Sequence, residues 1–166
     1  MIKIGILGGI GSGKTFISKK FGFPVFNADD EVKKIYRKNK NCYKKLKRIF
    51  PNFISSFPIK KKELMKAIHY NKNNIKKINQ IVHPLVRRNL NKFLSKNKRK
   101  KAVILDIPLL LENKINEKEY VLVFVDAKKS DILKRLKKRP NYNSKTLAIL
   151  KKFQLPIEIK KKNQTI

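Results

Sequence analysis

Short apolar runs stand near both ends of the chain, and a long stretch with helical spacing lies between them. Ile2 to Leu7 reads as a short buried strand and leads into the loop Gly8 to Gly13. Lys14 to Phe21 is predicted to be a helix, with Ile17 and Phe21 inward and Gly22 as its stop. Pro24 to Asn27 reads as a second strand. Residues 31–98 contain no strand pattern; their Ile, Leu and Phe recur at steps of three and four. The clearest case is 75–94, with Ile75, Ile78, Val82, Leu85, Leu90 and Phe93 on the stripe. Pro84 interrupts it, which predicts a break at His83 and a new helix starting at Pro84. Strands return at Ala102 to Ile107 and Val121 to Val125, apolar throughout as parallel strands are. Ser130 is the expected cap of a helix carrying Ile132, Leu133 and Leu136. Asn143 to Phe153 is expected to be helical, ended by Gln154-Leu155-Pro156, and the polar tail from Lys160 to Ile166 is expected to fray. Strand and helix alternate at both ends, so the pattern implies an α/β fold with a parallel sheet. The α/β core is assigned to 1–30 and 101–166, and a helical insertion to 31–100.

Composition narrows this picture. The 166 residues suit one compact domain with an insertion, and 41% apolar residues suffice for a core. With 43 Lys and Arg against 11 Asp and Glu, the formal charge is +32. Most of the cations are lysines spread over the whole chain, whereas base-reading proteins favour the bidentate guanidinium. Nucleic-acid binding is therefore expected to be at most nonspecific, while the positive field steers anionic substrates inward. Cys42 is the single cysteine, which excludes an intrachain disulfide and fits a reducing compartment. His69 and His83 lack the neighbours of a zinc site. No run approaches the ~20 apolar residues of a membrane span, so the expected location is cytoplasmic.

The chemistry starts at the first loop. Gly8, Gly13, Lys14 and Thr15 occupy the fixed positions of G-x-x-x-x-G-K-[ST]. Glycines let consecutive backbone N–H groups converge on phosphate, and the next helix adds its positive end. Lys14 can reach the outer phosphates of a triphosphate, and the Thr15 hydroxyl can ligate Mg2+. Asp29 and Asp30 follow the second strand at the edge where α/β proteins bind ligands; Asp30 reads as a helix cap, and Asp29 as cap or catalyst alike. Asp106, near the end of its strand, could hold Mg2+ through water or be an ordinary polar strand end. Glu112 follows three leucines and reads as a site residue or as surface. Arg135 and Arg139 share a helix face just before Pro140, as in a phosphate lid or a solvated basic face.

Together these pieces resemble the dephospho-CoA kinase family. The resemblance is carried by Gly8 to Thr15, Asn27-Ala28-Asp29, Val82-His83-Pro84-Leu85-Val86-Arg87, Pro108 to Asn113 and Gln154-Leu155-Pro156, in the family's order and at about its spacing. It implies a P-loop NTPase fold, a three-layer α/β/α sandwich with a parallel sheet, a helical substrate-binding insertion and a lid at about 134–146. It also implies transfer of the γ-phosphoryl of ATP to the ribose 3′-hydroxyl of dephospho-CoA, with Mg2+. By resemblance, the span Gly11, Ser12, Gly13, Lys14, Thr15, Phe16 cradles ATP, together with Gly8 and the lid residue Arg139. Lys14 stabilises the transferring charge, and Asp29 is the catalytic acid. Thr15 and Asp29 hold the metal. His83, Arg87, Pro108, Leu109 and Glu112 are the implied substrate contacts.

The chain departs from the family at three points. Asn27 stands where the family has the first acid of Asp-Ala-Asp, which removes one charge near the metal. No arginine occurs among Asn141 to Lys145, so lid chemistry falls to Arg135, Arg139 and lysines. The family continues past Gln-Leu-Pro with a strand, a turn and a closing helix, so part of the sheet is expected to be absent from a chain ending at Ile166. A kinase of another nucleotide or small metabolite, or a noncatalytic basic nucleic-acid binder, are the alternatives. A regulatory GTPase is disfavoured because Asn39-Lys40-Asn41-Cys42 and Asn113-Lys114-Ile115-Asn116 both lack the aspartate of the guanine motif.

Overall fold

The computed structural model describes residues 1–108, 110, 120–138, 143–144, 147–148, 152, 154–163 and 165. Four parallel strands, β1 (Ile2–Leu7), β2 (Val25–Asn27), β3 (Ala102–Asp106) and β4 (Tyr120–Phe124), form one sheet in the order β2-β3-β1-β4. β3 is buried along its whole length, as a strand covered on both faces must be. The register sets Ile4 beside Ile104 and Val121, and Asn27 beside Asp106. Ile6, Phe26, Val103, Ile104, Leu105 and Leu122 form the core around it. Helix α1 (Lys14–Lys20) packs on β1, β2 and β3, and α6 (Lys129–Lys137) and α7 (Ile157–Lys162) follow β4 in the chain.

The chain divides into two compact units, Met1–Ala28 with Lys96–Ile166, and Asp29–Ser95. The second unit is built from α2 (Ala28–Lys38), α3 (Lys40–Ile49), α4 (Lys61–Tyr70) and α5 (Asn74–Lys96). Its apolar interior includes Ile35, Leu46, Ile54, Leu64, Ile78 and Val82. Local polar groups fix the helix ends. Asn39 caps α3 by accepting from the Cys42 N–H at 2.8 Å. Glu63 accepts from the N–H groups of Ser55 (3.0 Å) and Lys60 (3.2 Å) and from the Ser55 hydroxyl (2.6 Å). Those bonds outweigh the opposing effect of burial and hold its carboxyl below the usual range.

Four sequence expectations need correction. Helix α5 runs through Pro84 without a break at His83. Ile75, Ile78, Val82 and Leu90 are buried along it on both sides of the proline. Burial of that continuous stripe outweighs the ~3 kcal/mol that an interior proline costs. Helix α2 starts at Ala28, so Asp29 and Asp30 are first-turn residues rather than caps, where their charge favours the helix dipole. Helix α6 begins at Lys129 with Lys128 in the N-cap position, so Ser130 is already helical rather than the cap. The tail is not frayed at Lys160. That residue lies in α7 and is 2% exposed, and Thr165 donates to Leu122 O at 2.7 Å while its hydroxyl accepts from Leu122 N at 3.0 Å. The edge of β4 supplies backbone partners that the polar sequence could not reveal. The helix expected over 143–153 falls largely outside the described residues. Within them, Leu147 N donates to Asn143 O (2.9 Å) and Lys152 N to Ala148 O (3.4 Å).

Candidate functional site

The glycine-rich loop leaves the carboxyl end of β1 and ends on α1. Gly8 has φ 143°, and a Cβ there would lie 2.6 Å from Val125 O and 2.7 Å from Ser12 Oγ. Gly13 is the N-cap of α1 in the left-handed region, φ 103° and ψ 14°, and accepts from the N–H groups of Phe16 (2.9 Å) and Ile17 (3.1 Å). Only glycine adopts both conformations at little cost, so the loop curvature depends on these two positions. The Ser12 hydroxyl is buried inside the loop with no hydrogen-bond partner among the described residues.

Two cations meet the loop backbone. Lys14 Nζ donates to Gly8 O at 3.0 Å and Gly9 O at 2.7 Å. The ammonium is thus held over the loop by neutral carbonyls, whereas anionic phosphate oxygens make the stronger charge-assisted partners. From α6, Arg135 Nη1 donates to Ser12 O at 2.9 Å. Arg135, one of the two arginines read from the sequence as a phosphate lid or a solvated basic face, is thus hydrogen-bonded to the glycine-rich loop. Phe16 exposes its ring beside the loop, with Lys20 Nζ 5.4 Å from the ring centroid.

Below the loop lies a carboxylate with two donors. Asp106 ends β3 and is 2% exposed. Its Oδ2 accepts from Thr15 Oγ1 at 2.6 Å and from Asn27 Nδ2 at 2.6 Å. Because Thr15 gives its proton to Asp106, the lone pairs of its hydroxyl remain for a cation. A hydroxyl and a carboxylate are hard oxygen donors, the kind Mg2+ takes. Among the described residues no group of three or more His, Cys, Asp or Glu could hold a metal alone.

The remaining sequence candidates fall into four groups. Asp29 is exposed in the first turn of α2, in the second unit. His83 and Arg87 lie on α5 and line a surface groove of about 740 Å3 with Lys76, Asn79, Gln80 and Arg88. Burial pushes the His83 imidazole below its ordinary pKa, and the Arg87 cation pushes the same way, so it stands neutral at pH 7. Pro108 is half-buried just past β3. Leu109, Glu112 and Arg139 lie outside the described residues. Sequence reasoning left Asp106 undecided and read Asn27 only as a lost charge. The signal for both is their pairing across β2 and β3, which the strand ends alone do not disclose.

A family model described as "Dephospho-CoA kinase" matches residues 2–166. A curated dephospho-CoA kinase from Wolbachia sp. subsp. Brugia malayi is 34% identical over 163 residues, covering 95% of this chain and 83% of the relative. One from Bacillus thuringiensis is 32% identical over 169 residues, covering 98% and 84%. The crystal structure of TT1252 from Thermus thermophilus is similar at TM-score 0.79 and 30% identity, covering 99% of this chain and 85% of that one. The dephospho-CoA kinase from Campylobacter jejuni has a TM-score of 0.63 at 24% identity, with the same coverage, and speaks for the fold.

Proposed function

The chain belongs to the dephospho-CoA kinase family, ATP-dependent enzymes that phosphorylate dephospho-CoA in coenzyme A synthesis, and from that premise we propose how its own residues divide the work. The reading rests on one observation above others: the phosphate loop's Thr15 is bonded to the buried Asp106 at the foot of the site.

In this reading the span Gly11 to Phe16 cradles the donor phosphates. Lys14 exchanges the Gly8 and Gly9 carbonyls for phosphate oxygens and follows the charge onto the leaving ADP. Thr15 and Asp29, with Asp106, would hold Mg2+, which when bound neutralises charge on the phosphates. Asp29 accepts the proton of the ribose 3′-hydroxyl and orients that oxygen in line with the γ-phosphorus. The residues 31–100 form the acceptor-binding insertion. Its α5 groove offers Lys76, Arg87 and Arg88 to the acceptor's diphosphate and a neutral His83 as a hydrogen-bonding group. Pro108, Leu109 and Glu112 line the acceptor side, and Arg139 closes on ATP from the lid at about 134–146. A cytoplasmic location goes with this reading, supported by the free thiol of Cys42, the chain's single cysteine. Among the described residues no helix is long and apolar enough to cross a membrane.

The test offers Mg-ATP with dephospho-CoA, AMP, shikimate or DNA and follows ADP and product. CoA is the expected product, and Asp29→Asn should lower turnover by about 100-fold or more while leaving ATP affinity within about two-fold. Phosphorylation of another acceptor in preference to dephospho-CoA would overturn the acceptor assignment. An active Asp29→Asn would remove Asp29 from the chemistry.

A further inference from the structure

We propose that Asn27 is a positioning residue for the divalent-ion and nucleotide site, acting through Asp106 on Thr15. This rests on the kinase reading above only in that the site takes a metal–nucleotide complex. Asn27 ends β2, and the parallel register places it directly beside Asp106 on β3. Its amide donates to the same Oδ2 that accepts the Thr15 hydroxyl, both at 2.6 Å. Asp106 is nearly inaccessible, so its carboxylate cannot be held in place by bulk water. Among the described residues its orientation is set by these two donors, of which Asn27 is outside the metal-ligating set. The chain of effect is short. The amide fixes the carboxylate, the carboxylate takes the Thr15 proton, and the Thr15 lone pairs are left directed away from Asp106.

The choice of amide over carboxylate matters. A carboxylate at 27 would bring two acceptors together at the same separation, with no donor between them. An amide supplies the donor and adds no charge, so this chain positions Asp106 by a neutral hydrogen bond. Position 27 thereby contributes to metal–nucleotide affinity through geometry rather than through charge.

The experiment measures Mn2+ binding to the protein in the presence of ADP, by loss of the free-Mn2+ electron paramagnetic resonance signal. It compares wild type, Asn27→Leu, Asn27→Ser, Asp106→Asn and the Asn27→Leu/Asp106→Asn pair, each checked for folding by circular dichroism. Asn27→Leu, close in shape but without a donor, should weaken binding roughly 10-fold. Asn27→Ser, which keeps a donor, should recover part of that loss. On the Asp106→Asn background Asn27→Leu should cost less than about two-fold, because the group it acts through has changed. The KM for dephospho-CoA should stay within about two-fold in Asn27→Leu, whereas a general loosening of the fold would move it too. Binding by Asn27→Leu equal to wild type would overturn the proposal, as would a full 10-fold loss that persists without the Asp106 carboxylate. If Asn27→Leu does not fold, Asn27→Ala takes its place in both backgrounds with the same criteria. Because the readout is metal–nucleotide binding, a wrong acceptor assignment would leave these outcomes unchanged and show only in the product assay.

Discussion

Replacing Asp106 by alanine and by asparagine should separate its structural role from its chemical one. In the folded chain one oxygen, Oδ2, satisfies both the Thr15 hydroxyl and the Asn27 amide. Asp106→Ala removes that acceptor and leaves two part-buried donors without it. Each such loss costs about 1–3 kcal/mol, and water reaching the part-buried donors places both near the low end, for a total of about 3 kcal/mol. Removing a desolvated carboxylate returns some of this, so about 2–3 kcal/mol is expected. For a chain of this size that lowers the melting temperature by roughly 4–12 °C. Asp106→Asn keeps an oxygen that accepts both donors at the same place. It exchanges charge-assisted bonds for neutral ones and simultaneously relieves the buried charge, so stability should change by less than about 1 kcal/mol. Activity should instead fall about 100-fold in both variants, because both remove the anionic partner of the Thr15 hydroxyl. Urea denaturation without nucleotide gives the first quantity, and ADP release coupled to NADH oxidation, with dephospho-CoA as acceptor, gives the second. Equal stability of Asp106→Ala and wild type would refute the shared-acceptor argument. An Asp106→Asn enzyme within about three-fold of wild type would refute the need for the charge.

Three further outcomes follow from the same geometry. Lys14→Ala should lower kcat by about 100- to 1,000-fold and also weaken ATP binding, measured by steady-state kinetics and calorimetry. Gly8→Ala places a methyl group 2.6 Å from Val125 O at a φ of +143°, so it should cost about 2 kcal/mol and abolish tight nucleotide binding, read by denaturation and a fluorescent ATP analogue. His83 titrates below its ordinary value in the folded chain, so between the two values the unfolded chain binds more protons. Stability should therefore fall as pH drops below about 6.5, levelling off beneath the folded value, and His83→Gln should flatten that part of a urea-stability profile; an unchanged slope would show that His83 is not its source.

The local patterns were the legible part. Strand, glycine loop and helix in that order specify a phosphate cradle, because their chemistry depends on backbone geometry that neighbouring residues impose. The places of Lys14 over the loop carbonyls and of Thr15 at the start of α1 follow for the same reason. The apolar runs likewise announce a parallel sheet, since strands covered on both faces need apolar residues throughout. What escaped the sequence depended on contacts between distant segments. Pro84 breaks a helix by local rules, yet α5 continues because a buried stripe on both sides of it weighs more than one lost hydrogen bond. Lys160 reads as a solvated tail residue but is buried in α7. Asp106 read equally well as a ligand or a polar strand end until Thr15, 91 positions away, was found donating to it. Asn27 looked like a charge lost from a motif, and the register with β3 made it a donor to that same carboxylate. The sequence by itself determined the phosphate loop and the alternation of strand and helix, because both are written in residues adjacent along the chain. Only the tertiary structure decided which side chains meet beneath that loop, because strand order and register bring together groups whose separation in sequence carries no mark of their contact.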